Sequence, residues 1–231
     1  MEEKDKNLEN AIRQQDIKSI RKIIKEGANI NFENEGWSPF LMAVEIGNLE
    51  IMKILAHYGA NVNHRNNSSN ALYIASQQGH TEIVQYLISH KANPNIQNKG
   101  ATPLLIAAQE GHLGVVKELL KNKADPNIPD AKDTPLHYAC SKDHYEIVIK
   151  LIKHKANLNA QDKGDAPIML AAEKGSLRIV KLLLDAGASI LKKNRNLSVF
   201  DLAANDEIKE LLKSQLKKTK PGLFKKCFSD K

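Results

Sequence analysis

The chain has 231 residues, of which 42% are hydrophobic, 26% charged and 5% aromatic, close to an ordinary folded protein and far from a disordered one. No apolar run approaches the roughly 20 residues of a membrane helix, the charged start MEEKDKNLEN lacks a signal peptide's apolar stretch, and the distant Cys140 and Cys227 make neither a disulfide framework nor a cysteine zinc site. Six lysines against Asp230 place +5 of the +7 net charge in residues 217–231, so the body of the chain has little general attraction for nucleic acid.

Residues 1–37 hold a degenerate, charge-rich unit, KNLENAIRQQDIKSIRKIIKEGANIN from residue 6. Five closer copies follow at a constant offset of 32 residues, in 38–69, 70–101, 102–133, 134–165 and 166–197. Two of them read TPLLIAAQEGHLGVVKELLKNKADPN and TPLHYACSKDHYEIVIKLIKHKANLN. Ala43, Ala75, Ala107, Ala139, Ala171 and Ala203 form one column. Ala28, Ala60, Ala92, Ala124, Ala156 and Ala188 form another, and Asn31, Asn63, Asn95, Asn127 and Asn159 a third. Repetition at this period is the signature of a stacked array rather than a central globule.

Each unit predicts two short antiparallel helices and an extended loop. Thr102 and Thr134 are suited to N-cap the first helix, with Pro103 and Pro135 at its first position. That helix ends near Gly47, Gly79, Gly111 or Gly175, where a left-handed residue reverses the chain. The second helix carries a one-sided apolar stripe, Ile51, Met52, Leu55 and Ala56 in one unit and Ile147, Val148, Leu151 and Ile152 in another. The alanine columns mark close helix approach, and the asparagine column predicts side chains bonded to nearby backbone to hold a turn. Residues 198–216 form a shortened last unit, in which Ile208 joins the column of Ile179 only if three residues are missing at the inter-helix turn. Residues 217–231 read as a basic tail, expected to be flexible.

The segments TPLHYA, GHLGVVKELL, DHYEIV, KADPN and HKANLN resemble the ankyrin repeat over about residues 6–216. The resemblance implies an all-α repeat solenoid of about seven units, stacked helix-turn-helix repeats joined by β-hairpin-like loops. It also implies a non-enzymatic adaptor that binds a protein partner on its concave face and loop tips, without cofactor, as a monomer. The charged start and the two distant cysteines point to an intracellular, reduced setting: the cytoplasm, the nucleus or a host cell's cytosol. The chain departs from the family pattern in having one residue fewer per repeat. Lys91, Lys123 and Lys155 stand where the second helix is usually followed by Gly, each costing on the order of 1 kcal/mol if left-handed. Asp143 replaces one inter-helix Gly.

The eight histidines do not read as a metal site. His80, His112 and His144 occupy one column, and neighbours in a stack lie about 8–10 Å apart, too far to share an ion bound at about 2 Å. They, and His137, read as hydrogen-bonding residues, the column linking turn to hairpin. Cys140 reads as a buried filler beside Ala139. Glu110, Asp143 and Asp165 fall at solvent-facing positions, and no GxSxG, HExxH or phosphate-loop motif is present.

The informative positions are those that vary on the fixed frame. Before the inter-helix turn they are Glu45, Ile46, Gln77, Gln78, Gln109, Glu110, Ser141, Lys142, Glu173 and Lys174. At the hairpin ends they are Trp37, Ser69, Ala101, Asp133 and Asp165, preceded by tips such as Arg65-Asn66-Asn67, Asp130-Ala131-Lys132 and Asp162-Lys163. The family resemblance carries the usual partner-contacting role onto these columns. Trp37 suits an interface anchor and a cap residue equally. The tail offers a separate reading. Lys217, Lys218, Lys220, Phe224, Lys225, Lys226, Cys227 and Phe228 suit weak contact with an anionic membrane or an acidic partner, as in a bacterial effector or membrane-associated adaptor. A nuclear-localisation or nucleic-acid patch, or a plain flexible end, remains open there. Cys227 is fifth from the end and is not a prenylation site.

Overall fold

The computed structural model describes residues 2–62, 69–160, 164–194, 196–222 and 224. The described chain is a row of helix pairs: α1 (Glu3–Arg13) with α2 (Ile17–Lys25), α3 (Pro39–Ile46) with α4 (Leu49–His57), and α5 (Ala71–Gln77) with α6 (Thr81–Ser89). Next come α7 (Pro103–Glu110) with α8 (Leu113–Lys121), α9 (Pro135–Ser141) with α10 (Tyr145–Lys153), and α11 (Pro167–Lys174) with α12 (Leu177–Asp185). The last pair is α13 (Val199–Leu202) with α14 (Asp206–Thr219).

The first helices pack in sequence order from α1 through α13, and behind them α6, α8, α10, α12 and α14 form a second row. The alanine column explains the close first row, since Ala43, Ala75, Ala107, Ala139 and Ala171 are wholly buried. The extended loops close as hairpins at matching places: Asn34 bridges Trp37, Asn98 bridges Ala101, and β1 (Lys193–Asn194) pairs antiparallel with β2 (Leu197–Ser198). The fold is therefore the all-α solenoid with hairpin loops that the resemblance implies.

Local chemistry sets the helix ends. The side chains of Ser38, Asn70 and Thr102 accept the N–H of Leu41, Tyr73 and Leu105 at 3.3, 3.0 and 3.2 Å. Gly47, Gly111 and Gly175 reverse the chain with φ of 81°, 85° and 83°. Lys91, Lys123 and Lys155 do hold the left-handed conformation, at φ of 67°, 66° and 65°.

Several expectations need correction. The histidine column does not tie turn to hairpin. His80, His112 and His144 direct Nε2 to the carbonyls of Glu45, Gln77 and Gln109 at 3.1, 2.9 and 3.2 Å, at the end of the preceding unit's first helix. Each ring lies over that unit's turn glycine, so a Cβ on Gly47, Gly79 or Gly111 would meet it at 2.4, 2.7 or 2.8 Å. Nor does the asparagine column act locally. Asn127 takes the N–H of Asn157 at 2.7 Å and donates to the carbonyl of Lys155 at 3.2 Å, both in the next unit. Asn31 and Asn95 do the same for Asn61 and Asp125. The local turn is held by residues two places earlier: Asn29, Asn93, Asp125 and Asn157 accept the N–H two residues on. Asn63 lies outside the described residues.

The ends also differ. α1 starts at Glu3, ahead of the first repeat's expected start at residue 6. α14 runs to Thr219, so Lys217 and Lys218 belong to its last turn rather than to a separate tail. Buried Ile208, Leu212 and Leu216 keep the helix on the core until Lys220, which precedes Pro221.

Candidate functional site

The strip of variable residues is built on first-helix ends and hairpins. Glu45, Gln77, Gln78, Glu110, Lys142, Glu173 and Lys174 are exposed, while Gln109 and Ser141 are half-buried. The backbone beneath is pinned, because the carbonyls of Glu45, Gln77 and Gln109 accept from the histidines. Side chains above it are linked: Gln78 donates to Glu45 Oε1 at 2.8 Å, Gln109 to Glu110 Oε1 at 3.2 Å, and Ser141 Oγ to the carbonyl of Tyr138 at 3.0 Å. Among the described residues the ion pairs are Arg13–Glu9, Lys22–Glu26, Lys209–Asp206 and Lys213–Glu210, so the strip's charges are outside them.

The hairpin positions are less free than their loop location suggests. Trp37 and Ile46 are partly buried against the hydrophobic core, which favours the cap role for Trp37. Ser69 accepts from Asn98 Nδ2 and Asp165 from Asn194 Nδ2, each at 3.1 Å, linking one hairpin to the next. Asp165 is therefore half-buried rather than facing solvent. Ala101 is held in its bridge with Asn98, and Asp133 gives its N–H to Asp130 Oδ1 at 2.8 Å. Arg65, Asn66, Asn67, Asp162 and Lys163 lie outside the described residues.

Two tyrosines join the strip that column-matching missed. Tyr138 Oη donates to Asp130 Oδ2 at 2.6 Å. Burial and this bond raise the Tyr138 phenol above its ordinary pKa. Partial burial alone would raise the Asp130 carboxyl, but bonds from Tyr138 and from the N–H of Asp133 and Lys132 outweigh it and hold the carboxyl below its usual range. Burial also raises Tyr73, helped by the charges of Glu110 and Asp130. The available signal was that Tyr73 and Tyr138 depart from the aliphatic residues at Leu41, Leu105 and Ile106.

His137 is buried, and its network fixes its tautomer. Nδ1 receives the N–H of Thr134 at 3.1 Å and must be unprotonated, so Nε2 carries the hydrogen to the carbonyl of Ala160 at 3.0 Å. Burial lowers its pKa, against the charge of Asp133. Cys140 is buried and its thiol is pushed up by desolvation, as a filler's would be. Among the described residues no group of three His, Cys, Asp or Glu is placed to hold a metal ion.

At the C-terminal end, Lys217, Lys218 and Lys220 are exposed, whereas Phe224 is half-buried against the core. Lys225, Lys226, Cys227 and Phe228 lie outside the described residues. No helix among the described residues is long and apolar enough to cross a membrane.

A family model for ankyrin repeats in three copies matches residues 63–130 and 104–194, and a single ankyrin-repeat model matches residues 35–67. The chain belongs to the ankyrin-repeat family. Its fold is similar to the crystal structure of the human ASB11 ankyrin repeat domain, with a TM-score of 0.81 and 26% identity over 90% of this chain and 96% of that one. No curated protein matches the chain. Ankyrin repeats are generally protein–protein interaction modules, and the fold is generally non-enzymatic. The corrected columns are thus properties of an ankyrin frame: histidine on glycine at one end, asparagine clamps at the other.

Proposed function

We propose that the protein is a non-enzymatic ankyrin adaptor that holds a protein partner along the strip from Glu45 to Lys174. The observation that carries this reading is the contrast between frame and strip. Histidine and asparagine bonds fix the backbone from one unit to the next, while Gln77, Glu110, Lys142 and Lys174 stand exposed on it and the strip changes from unit to unit. A backbone already ordered before association lowers the entropy that binding must overcome. A protein interface of ordinary size takes about 800 Å² per partner, within reach of five successive units.

The test uses the full chain as bait for affinity capture with mass spectrometry, beside the variant Glu110→Lys/Lys142→Glu/Lys174→Glu. The expected result is a specific partner captured by the wild type and reduced at least tenfold with the variant, at equal helix content. Equal capture by both proteins would remove the strip as the binding site. Trp37 is unsuited to this test, since its contact with the core would mix binding with stability. The effector or membrane-adaptor reading gains no support from Phe224, which turns inward.

A further inference from the structure

Lys91, Lys123 and Lys155 follow the outer helices α6, α8 and α10 in three consecutive units, and all three are exposed. Each is left-handed, a conformation the chain fills with glycine in the flanking units, at Gly27, Gly59 and Gly187. A Cβ built on any of those three glycines meets nothing within 4 Å, so the column faces open space and packing does not require a side chain. The helix dipole favours a cation there. Lys121 and Lys153 already provide one in the last turns of α8 and α10, without backbone strain. Retained strain at an exposed position is a mark of use rather than of packing.

Charge follows the same boundary. The segments His90–Asn93, Lys121–Asp125 and Lys153–Asn157 hold Lys91, Lys121, Lys123, Lys153 and Lys155 against the single acid Asp125. The flanking segments KEGAN, HYGAN and DAGAS carry no net positive charge. None of the five ammonium groups has a hydrogen-bond or ion-pair partner among the described residues. Their backbone is firm: Asn95 and Asn127 bond the carbonyls of Lys123 and Lys155 at 3.4 and 3.2 Å. Equivalent residues in a stack lie about 8–10 Å apart, so the three left-handed lysines span about 20 Å in a row.

We propose that this lysine ridge rests on the anionic surface of a lipid bilayer. Lys91 borders a small cleft with Asn70 and Tyr86, but all three lysines are exposed, and such a row can lie along a plane of negative headgroups. A single nucleic-acid strand would be held by a groove with free aromatic faces. Tyr86, which lines the same cleft as Lys91, is already stacked on His90 with ring centroids 4.0 Å apart. The ridge shares no residue with the partner strip or with the C-terminal lysines.

The experiment is co-sedimentation of the full chain with phosphatidylcholine vesicles, with and without phosphatidylserine, at low and physiological salt. The wild type should pellet with the phosphatidylserine vesicles only, more weakly as salt rises. Lys91→Gly/Lys123→Gly/Lys155→Gly should lower that partition about a hundredfold, since each lysine near such a surface counts about fivefold. Its unfolding midpoint should be no lower than the wild type's, because glycine suits the backbone. The triple arginine variant keeps the charge and should keep the binding. Equal partition of wild type and glycine variant would overturn the ridge and assign the contact elsewhere. Failure of the wild type to bind, with retention on duplex DNA that the glycine variant loses, would overturn the membrane and make the ligand a nucleic acid.

Discussion

Ser176 Oγ donates to Asp143 Oδ1 at 2.5 Å, at a place where three other inter-unit contacts lay a histidine ring over a glycine. The exchange is concerted: Asp143 replaces the glycine and Ser176 the histidine. A second instance lies at the N-terminal end, where Asn48 Nδ2 donates to Gln15 Oε1 at 3.0 Å and Gln15 is left-handed at φ 56°. Ring over glycine, or short polar side chain against a longer one, are two ways of filling one space.

The pairing is testable by exchange. Gly79→Asp alone puts a side chain into the His112 ring at a left-handed position and should lower stability by about 2–3 kcal/mol in urea unfolding. Adding His112→Ser reproduces the Asp143–Ser176 pair and should recover about 1 kcal/mol. An additive double variant would mean that the two positions are independent.

Ser76 stands where other units have Val44, Ala108, Cys140 and Ala172, and its buried hydroxyl has no hydrogen-bond partner among the described residues. Ser76→Ala should therefore raise stability by about 1–2 kcal/mol, since an unpaired polar group leaves the core. The denaturation midpoint should rise with the slope unchanged.

His137 gives a pH dependence of known sign. Its pKa is lowered from 6.5 by burial, so below that pH the unfolded chain takes up a proton that the folded chain refuses. Stability from this site is full above pH 6.5 and declines as pH falls. His137→Met, copying Met169, should cost about 1–2 kcal/mol at pH 8 through the unpaired Thr134 N–H. The gap from wild type should narrow towards pH 5 in parallel urea titrations; a constant gap would reject the linkage.

Asn127 joins two units by two bonds, and its exposure limits their worth. Asn127→Ala should lower stability by about 1 kcal/mol. Lys123→Gly should instead raise it by roughly 0.5–1 kcal/mol, the left-handed strain less glycine's unfolded-state entropy. Thermal melts of the two single variants should move in opposite directions.

The frame was largely legible because it repeats. The alanine columns, Thr102 with Pro103, and the left-handed lysines are each dictated by backbone within one unit, and a column of equals reveals them. Contacts between units were not legible. Spacing gives the column of His112 but not that its ring reaches back 35 residues to Gln77, nor that Asn127 clamps the unit ahead. The strip shows the same division. Exposed Lys142 and Lys174 follow from helical phase, whereas the inward turn of Trp37 and the Asn194 bond to Asp165 depend on a neighbour's surface.

The unit from residue 70 to 101 gathers three weaknesses: Ala71 where its neighbours have proline, and Asn70 Nδ2 and Ser76 Oγ, which are buried without a partner among the described residues. Among the described residues its helices pack chiefly on the pairs on either side. Under tension the protein should therefore part internally, near α5, before either capped end frays. It would behave as two stiff arms around a compliant joint, able to change the curvature it presents without unravelling.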